Sequence, residues 1–364
     1  MSLTLERVSK VVGGDNYIYP TDLHLEAGSL NVLLGPTLSG KTSLMRLMAG
    51  LDLPSTGRVL WQGQDVTGKP VQERNIAMVY QQFINYPSMS VYENIASPLR
   101  IRGLNPQEVD QRVQAAAELL KLTPMLQRKP LELSGGQQQR CALARALVKE
   151  ADLVLLDEPL ANLDYKLREE LREELPRIFT ASGAVFVYAT TEPTEALLLG
   201  GNTATLWEGR LTQFAPTLEV YRQPNSMITA RVFSDPPMNF LKLSKQAHQL
   251  QFDTGQTVLA SGALSHLADA VYHLGFRPNH LSLSPTSPDA LSFKVTVTVV
   301  EISGSESFVH LKHGERRWVA LLSGIHEPAP DTELIVYVDP KHLYVFAADG
   351  SLINLSAHSD RLRN

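Results

Sequence analysis

The residues with the clearest chemistry form a glycine-rich stretch near the amino terminus. Gly35-Pro36-Thr37-Leu38-Ser39-Gly40-Lys41-Thr42 fits the pattern G-x-x-x-x-G-K-[ST], with an apolar run at 31–34 before it and a helical pattern at 43–49 after it. In a strand–loop–helix setting, the backbone N–H groups of such a loop cradle phosphate oxygens. We therefore predict a nucleotide phosphate site that ends at Ser43, in which Lys41 reaches the β- and γ-phosphates and Thr42 ligates Mg²⁺.

Two adjacent carboxylates follow an apolar run further along the chain. The run 153–156 reads Leu-Val-Leu-Leu and is followed directly by Asp157 and Glu158. An aspartate at a strand end can hold Mg²⁺ through its water shell, and the next carboxylate can act as general base toward an attacking water. By itself, the pattern is equally typical of an ordinary strand that meets a solvated loop and of a catalytic site.

A polar stretch with two glycines precedes that run. Leu133-Ser134-Gly135-Gly136-Gln137-Gln138-Gln139-Arg140 is followed by a helix-forming segment at 142–148 and resembles the LSGGQ signature of the ABC ATPases. Its glycines leave backbone N–H groups free at a helix N-terminus, which suits a γ-phosphate. In that family the signature of one subunit completes the nucleotide site of its partner. The resemblance implies this role in trans for Ser134, Gly135, Gly136 and Gln137.

Other segments resemble the same family in the same order along the chain. Gln81 matches the Q-loop, whose side chain contacts the metal site and couples to the membrane subunit, so Mg²⁺ is expected at Thr42, Gln81 and Asp157. Asp164, in Leu160-Ala161-Asn162-Leu163-Asp164, resembles the D-loop residue that acts across the dimer. Segments 86–95, 237–241 and 275–281 look like the corresponding segments of maltose-type sugar importers. The last two segments are found in those family members that carry an OB-like regulatory domain.

The elements that must position these residues divide the chain in two. Before about residue 235, apolar runs at 31–34, 76–80, 153–156 and 184–188 alternate with helical patterns, as in an α/β domain. After the stiff Asp235-Pro236-Pro237 junction, short β-rich runs are separated by Gly, Pro, Asp and Ser. We predict an α/β P-loop ABC ATPase domain over 1–235 and a small all-β, OB-like (TOBE-type) regulatory domain over 236–364.

The ends of two helices can be predicted from the sequence. Asn105-Pro106 combines a capping residue with a proline in the first turn, and predicts a helix start. A second helix is predicted over 165–179 from the apolar face that begins at Leu167, and Pro176 should kink or end it.

Composition excludes several classes of protein. The 33 Lys and Arg against 38 Asp and Glu give a formal charge of −5, so no basic excess indicates a nucleic-acid partner. A DNA-repair ATPase would also need a long coiled-coil insertion between Gly40 and Ser134. Cys141, the single cysteine, is expected to be buried. His310 and His313 are expected to be surface histidines and not metal ligands. With no signal peptide and no long apolar run, we expect an intracellular, soluble chain.

Two departures from the family concern nucleotide binding. Leu38 stands where the family usually has a glycine, and is tolerable if its φ is negative, in which case the change is silent. The family stacks an aromatic ring on the adenine at a place that falls here at Val12. Tyr17 or Tyr19 could supply the ring instead, although both could equally be ordinary strand residues.

The third departure concerns hydrolysis. In the family a strand ends in a histidine that contacts the γ-phosphate, and Thr191 stands in its place. A misaligned histidine cannot explain this, because residues 25–247 contain none. Loss of such a transition-state contact typically lowers the rate about 10²–10³-fold. We therefore expect the site, with Glu158, Gln81 and Thr191 as its catalytic set, to bind ATP but to hydrolyse it slowly.

The resemblance as a whole implies the ATP-hydrolysing subunit of a bacterial, carbohydrate-class ABC importer, with ATP and Mg²⁺ as cofactors. It implies two transmembrane permease subunits, a periplasmic or extracellular solute-binding protein, and a peripheral place on the cytoplasmic face of the inner (plasma) membrane. The weakened site favours a heterodimer with a second ATPase subunit over a homodimer. The stretch 190–193 is loosely similar to members that serve glycerol or related polyols. A regulatory pseudo-ATPase that binds ATP without significant turnover is the alternative.

Overall fold

The computed structural model describes residues 1–161 and 163–353 and divides into two compact units. The first unit is Met1–Val220 and the second begins at Tyr221. In the described ranges, no helix is both long and apolar enough to cross a membrane.

The first unit mixes strands and helices in the alternating order that the sequence predicts. Its elements are β1 (Ser2–Val12), β2 (Asp15–Glu26), β3 (Leu30–Leu34), α1 (Lys41–Ala49), β4 (Thr56–Trp61), β5 (Gln64–Asp65), β6 (Ile76–Val79), α2 (Val91–Ile101), α3 (Pro106–Leu119), α4 (Gly135–Val148), β7 (Leu153–Asp157), α5 (Tyr165–Ser182), β8 (Val185–Thr190), α6 (Pro193–Leu199), β9 (Asn202–Trp207), β10 (Arg210–Pro216) and α7 (Thr217–Arg222), the last of which crosses into the second unit. Short 3-10 turns lie at Val71–Glu73, Thr123–Met125 and Pro130–Glu132.

A six-stranded sheet in the order β10-β9-β3-β8-β7-β6 positions the site. β3 pairs in parallel with β8 and β9, and β7 pairs in parallel with β6 and β8. Strands β3, β7 and β8 are buried along their whole length, which is why each reads as a continuous apolar run. Because parallel strands end at the same edge, the loops after β3, β7 and β8 meet there.

An antiparallel sheet in the order β2-β1-β4-β5 completes the first unit. Its inward residues, such as Leu3, Leu5 and Leu25, share one apolar core with Leu44 and Met48 of α1. The helix that carries Lys41 and Thr42 is therefore held by packing along the face opposite the solvent.

The ends of the helices follow their capping residues. α3 begins after Asn105, whose side chain accepts a hydrogen bond from the N–H of Glu108, which confirms the predicted start. Pro176 lies inside α5, which continues to Ser182, so the proline does not end the helix, and the predicted kink stays a prediction. Leu175 and Phe179 are both buried, and their packing on each side of the proline maintains the helix.

As far as Ile353, the last residue that the structure describes, the second unit contains the end of α7, the short helix α8 and an all-β body. Its elements are α8 (Met227–Val232), β11 (Asn239–Gln246), β12 (Gln249–Phe252), β13 (Thr257–Leu259), β14 (Ala270–Phe276), β15 (Leu281–Ser282), β16 (Leu291–Ile302), β17 (Glu306–His313), β18 (Arg316–Ser323), β19 (Glu333–Val338), β20 (Tyr344–Phe346) and β21 (Leu352–Ile353), with 3-10 turns at Gly262–His266, Pro278–His280 and Pro340–His342.

Two antiparallel sheets build that body, in the orders β13-β12-β11-β14-β20-β21 and β15-β19-β16-β17-β18. Alternate residues of these strands are buried, and they meet in one core around Phe293 and Trp318. The ring of Trp318 packs edge-to-face on Phe276 and Phe293, with ring centroids 5.0 and 5.4 Å away. The all-β architecture predicted for the C-terminal region is confirmed.

The division at Tyr221 falls earlier than the predicted boundary at residue 235. The buried guanidinium of Arg277 explains the difference, because it donates to the carbonyl oxygens of Tyr221 and Phe233, each at 2.7 Å. It also donates to the Ser234 hydroxyl at 2.6 Å. The segment that precedes Asp235 is thus held by the second unit.

Two smaller predictions have opposite outcomes. Cys141 is fully buried in α4, as predicted, and burial raises its pKa to about 11. His313 is buried, so its prediction as a surface histidine is wrong. Its ring stacks on Trp318 with centroids 4.3 Å apart, and its Nδ1 pairs with the Lys294 carbonyl at 2.9 Å.

Candidate functional site

The glycine-rich loop joins β3 to α1 in the predicted strand–loop–helix arrangement. Gly40 caps α1 with a φ of +103°, a backbone conformation that favours glycine. A Cβ on Gly35 would lie 2.5 Å from the carbonyl oxygen of Leu206, so only glycine fits there. Close packing on both sides of the turn therefore fixes the path of the loop.

Lys41 lies in the centre of this loop. Its side chain is 5% exposed, and its Nζ donates to the carbonyl oxygens of Gly35 at 2.7 Å and Pro36 at 3.1 Å. The same Nζ lies 3.8 Å from Oε1 of Glu158. Burial lowers the pKa of Lys41, while the carboxylates of Glu158 and Asp157 oppose that shift.

The two predicted carboxylates face the loop from the end of β7. The Thr42 hydroxyl donates to Oδ2 of Asp157 at 2.7 Å, and Nε2 of Gln81 donates to Oε2 of Glu158 at 3.0 Å. Burial raises the pKa of both carboxyl groups, partly offset at Asp157 by Thr42 and at Glu158 by Lys41. The structure thus brings Lys41, Thr42, Gln81, Asp157 and Glu158 together.

The donor atoms around Thr42 suit a hard cation. A hydroxyl, a carboxylate and an amide oxygen are the ligand types that Mg²⁺ takes in proteins, where it keeps several waters and substrate phosphates as ligands. In the described parts of the chain, no cluster of three or more His, Cys, Asp or Glu side chains could hold a metal ion on its own. The residues fit an ion that is shared with bound phosphates.

The cleft over the loop has a volume of about 600 Å³ and includes both predicted stacking tyrosines. The guanidinium of Arg210 covers one face of the Tyr19 ring, with its Cζ 3.4 Å from the ring centroid. Tyr17 is half exposed at the edge of the cleft. Val12 is not among the residues that line it. Adenine stacking on Tyr17 or Tyr19 stays a prediction.

Leu38 contradicts the expectation of a silent replacement. Its φ is +67°, in the left-handed region, and its side chain is 95% exposed. The loop on either side of Leu38 is tightly packed, because a Cβ on Gly35 would lie 2.5 Å, and one on Gly40 2.8 Å, from the nearest atom. The leucine adopts a strained backbone at the mouth of the cleft.

The signature stretch forms the start of α4. Ser134 caps the helix: its Oγ accepts from the N–H of Gln137 at 3.3 Å, and Oε1 of Gln137 accepts from the N–H of Ser134 at 3.0 Å. Gly135 is exposed, and no heavy atom lies within 4 Å of where its Cβ would be. This helix start is open for another molecule, and its action in trans stays a prediction.

Gln139, one turn into α4, is a functional candidate that the sequence analysis missed. It is fully buried, and its Nε2 donates to the carbonyl oxygens of Pro159 at 2.6 Å and Glu158 at 3.3 Å. A polar side chain buried in this way ties the signature helix to the turn that carries Glu158. It is one of three consecutive glutamines, so the sequence does not distinguish it from its neighbours.

Asp164 caps α5, since its Oδ1 accepts from the N–H of Leu167 at 3.0 Å. Its predicted contact across a dimer stays a prediction. Asn162, in the same stretch, lies outside the described residues.

Thr191 follows the last residue of β8 and is exposed. The preceding residues bind the loops on both sides: the N–H of Gly35 donates to the Thr190 carbonyl at 3.3 Å, and the N–H of Glu158 donates to the Ala189 carbonyl at 3.0 Å. The turn that carries Thr191 therefore lies at the junction of the phosphate loop and the carboxylate turn.

Comparison with known proteins gives matches to one family along nearly the whole chain. Residues 19–161 match the family described as ABC transporter, and residues 274–346 match the TOBE domain. The sn-glycerol-3-phosphate import ATP-binding protein UgpC of Cupriavidus necator is 37% identical over 359 residues, covering 95% of this chain and 97% of that protein. The uncharacterized ABC transporter ATP-binding protein YurJ of Bacillus subtilis is 35% identical over 360 residues, covering 96% of this chain and 98% of that protein.

Solved structures agree with these matches. The dimeric structure of an ATP-binding cassette in a post-hydrolysis state, bound to ADP and Pi, is 26% identical with a TM-score of 0.55. It covers 59% of this chain and 98% of that chain. A second dimeric structure, described as a bacterial ABC transporter cassette, has the same TM-score of 0.55.

Proposed function

The chain belongs to the ATP-binding proteins of the ABC transporters, and on that premise we propose that it hydrolyses ATP to drive the import of sn-glycerol 3-phosphate or a related polyol or sugar. One observation carries the proposal: Lys41, Thr42, Gln81, Asp157 and Glu158 converge on one cleft at the carboxyl edge of the parallel sheet. The relatives named for sn-glycerol-3-phosphate import support the choice of solute.

Glu158 is the general base in this proposal. Burial keeps its pKa above the ordinary value, which makes the carboxylate a stronger proton acceptor. The amide of Gln81 orients one of its oxygens and the ammonium of Lys41 lies near the other. The glycine-rich loop from Gly35 to Ser43 holds the phosphates through its N–H groups, and Tyr17 or Tyr19 stacks on the adenine.

Thr42, Asp157 and Gln81 are the residues that would hold Mg²⁺. When bound, the ion would neutralise charge on the β- and γ-phosphate oxygens. The hydroxyl of Thr42, which donates to Asp157, turns its lone pairs away from that carboxylate and can present them to a cation.

The assembly in the proposal is a dimer with membrane partners. Two transmembrane permease subunits supply the path, an external solute-binding protein delivers the cargo, and this chain lies on the cytoplasmic face of the inner membrane. The signature residues Ser134–Gln137 and Asp164 act across the dimer. The comparisons do not support the sequence-based preference for a heterodimer, since the solved neighbours are dimers of one cassette. We propose a homodimer, in which Thr191 with a water substitutes for the histidine.

The test is ATP turnover and solute uptake in proteoliposomes that hold this chain with its permease subunits and binding protein. Glu158→Gln should keep ATP binding and lower turnover at least about 100-fold, whereas Glu173→Gln, an exposed change on α5, should leave turnover unchanged. Uptake of labelled sn-glycerol 3-phosphate, and not of maltose, would support the solute. Full turnover with Glu158→Gln would refute the catalytic assignment.

Thr191 gives this proposal its second test. Replacement by histidine restores a donor that can reach both phosphate and water, so Thr191→His should raise turnover about 10-fold or more. Thr191→Ser serves as the control and should leave the rate near that of the unaltered chain. Absence of any turnover in the unaltered, reconstituted chain would favour the pseudo-ATPase alternative.

A further inference from the structure

A buried carboxylate lies beside the turn that carries Thr191. Glu195, in the first turn of α6, is 4% exposed. Its Oε2 accepts hydrogen bonds from the Thr190 hydroxyl at 2.6 Å and the Tyr188 hydroxyl at 3.1 Å. A buried carboxylate is costly unless its oxygens are satisfied, and here both oxygens have partners. Glu195 therefore holds the hydroxyl groups of Thr190 and Tyr188 in fixed positions.

Arg172 of α5 provides the opposite charge. Its Nη2 donates to Oε1 of Glu195 at 3.1 Å and to Oε2 of Glu192 at 2.9 Å, and its Nη1 donates to Glu169 at 2.6 Å. One guanidinium thus binds both ends of the segment 192–195 and ties it to α5. Since α5 begins directly after Asp164, the cluster joins the predicted D-loop to the turn after β8.

The turn held by this cluster contacts two parts of the nucleotide site. The Thr190 hydroxyl, fixed by Glu195, accepts the N–H of Glu192 at 3.0 Å. The carbonyl oxygens of Thr190 and Ala189 accept the N–H groups of Gly35 and Glu158. Any movement of the turn would therefore reach the phosphate loop and the proposed base together.

We infer that Glu195 and Arg172 are positioning residues for ATP hydrolysis, which hold the turn 190–192 so that Thr191, Gly35 and Glu158 keep their mutual geometry. The inference rests on the proposed function. Threonine has a shorter side chain than histidine, so a working contact from Thr191 tolerates little displacement of its backbone. A shift near 1 Å at a reacting centre can cost about 100-fold in rate.

The experiment compares Glu195→Gln, Thr190→Val and Arg172→Gln in the reconstituted importer, with Glu173→Gln as the matched control. Glu195→Gln keeps an acceptor for Thr190 but presents an amide to the guanidinium; Thr190→Val keeps shape and removes the hydroxyl. We expect kcat to fall about 10-fold to 100-fold in each variant and ATP affinity to change much less, because none of the three side chains lines the cleft.

The outcomes separate this inference from the proposed function. If Glu158→Gln abolishes turnover while Glu195→Gln and Thr190→Val keep the kcat of the unaltered chain, the positioning role is refuted and the function stands. If the unaltered chain shows no ATP turnover, the function itself fails. Should Glu195→Gln prove unable to fold, a normal kcat in Thr190→Val alone would overturn the inference.

Discussion

Leu38 offers a direct test of whether the glycine-rich loop is strained. We expect Leu38→Gly to make the chain more stable, although it removes a large side chain. The side chain is 95% exposed, so its loss removes almost no buried apolar surface. What changes is the backbone, because at a φ of +67° the leucine Cβ crowds the following carbonyl oxygen.

The size of the effect follows from two opposing contributions. A non-glycine residue in the left-handed region costs about 1–2 kcal/mol, and glycine removes that cost. Glycine also loses more backbone entropy on folding, which costs about 0.5–1 kcal/mol. The net gain is therefore about 0–1.5 kcal/mol, with a middle value of about 0.75 kcal/mol. For a unit of roughly 150–250 residues the middle value corresponds to a rise in Tm of about 1.5–3 °C.

Thermal unfolding without nucleotide, followed by circular dichroism or calorimetry, measures the change. Leu38→Ala is the matched control, since it deletes the apolar side chain and keeps a Cβ at the same φ. Its Tm should stay near that of the unaltered chain. A lower Tm for Leu38→Gly, or an equal rise in both variants, would show that backbone strain is not the cause.

Two further predictions concern single side chains elsewhere. Burial raises the pKa of the Cys141 thiol to about 11. The native chain should therefore react with iodoacetamide at pH 8 far more slowly than the unfolded chain. Equal reaction rates would contradict the buried position of the thiol. Burial, together with the stacked His342, lowers the pKa of His280 to about 4 from about 6.5 in the unfolded chain. Between those values the unfolded chain binds a proton that the folded chain does not, so the free energy of unfolding falls as pH drops from about 6.5 to 4. Denaturant unfolding midpoints measured over this pH range should therefore fall less for His280→Gln than for the unaltered chain.

The parts of the site that depend on local pattern could be predicted from the sequence. A glycine-rich loop between an apolar run and a helical pattern needs no knowledge of the fold. The meeting of Thr42 with Asp157 follows once β3 and β7 are placed in one parallel sheet, on either side of β8, because parallel strands end at a common edge. The two-domain organisation followed from the change from alternating to β-rich pattern.

The parts that depend on distant partners could not be predicted. Glu195 has no sequence neighbour that signals its burial, since its ion-pair partner Arg172 lies on another helix. Gln139 differs from its neighbouring glutamines only in facing the carbonyl oxygens of Glu158 and Pro159. The sign of the Leu38 φ was also open, because the residue types in the loop do not fix it; in the structure it is +67°.

Arg277 has a practical consequence for exchanging parts between related cassettes. A fragment that began at Pro236 would leave its buried guanidinium without the carbonyl oxygens of Tyr221 and Phe233 and the hydroxyl of Ser234. Loss of a hydrogen bond to a charged group costs about 1.5–3 kcal/mol, a large share of the stability of a domain. A chimera that joins the C-terminal unit of one cassette to the ATPase unit of another should therefore be joined before Tyr221. A junction at the prolines separates the arginine from the segment that supplies its hydrogen-bond acceptors.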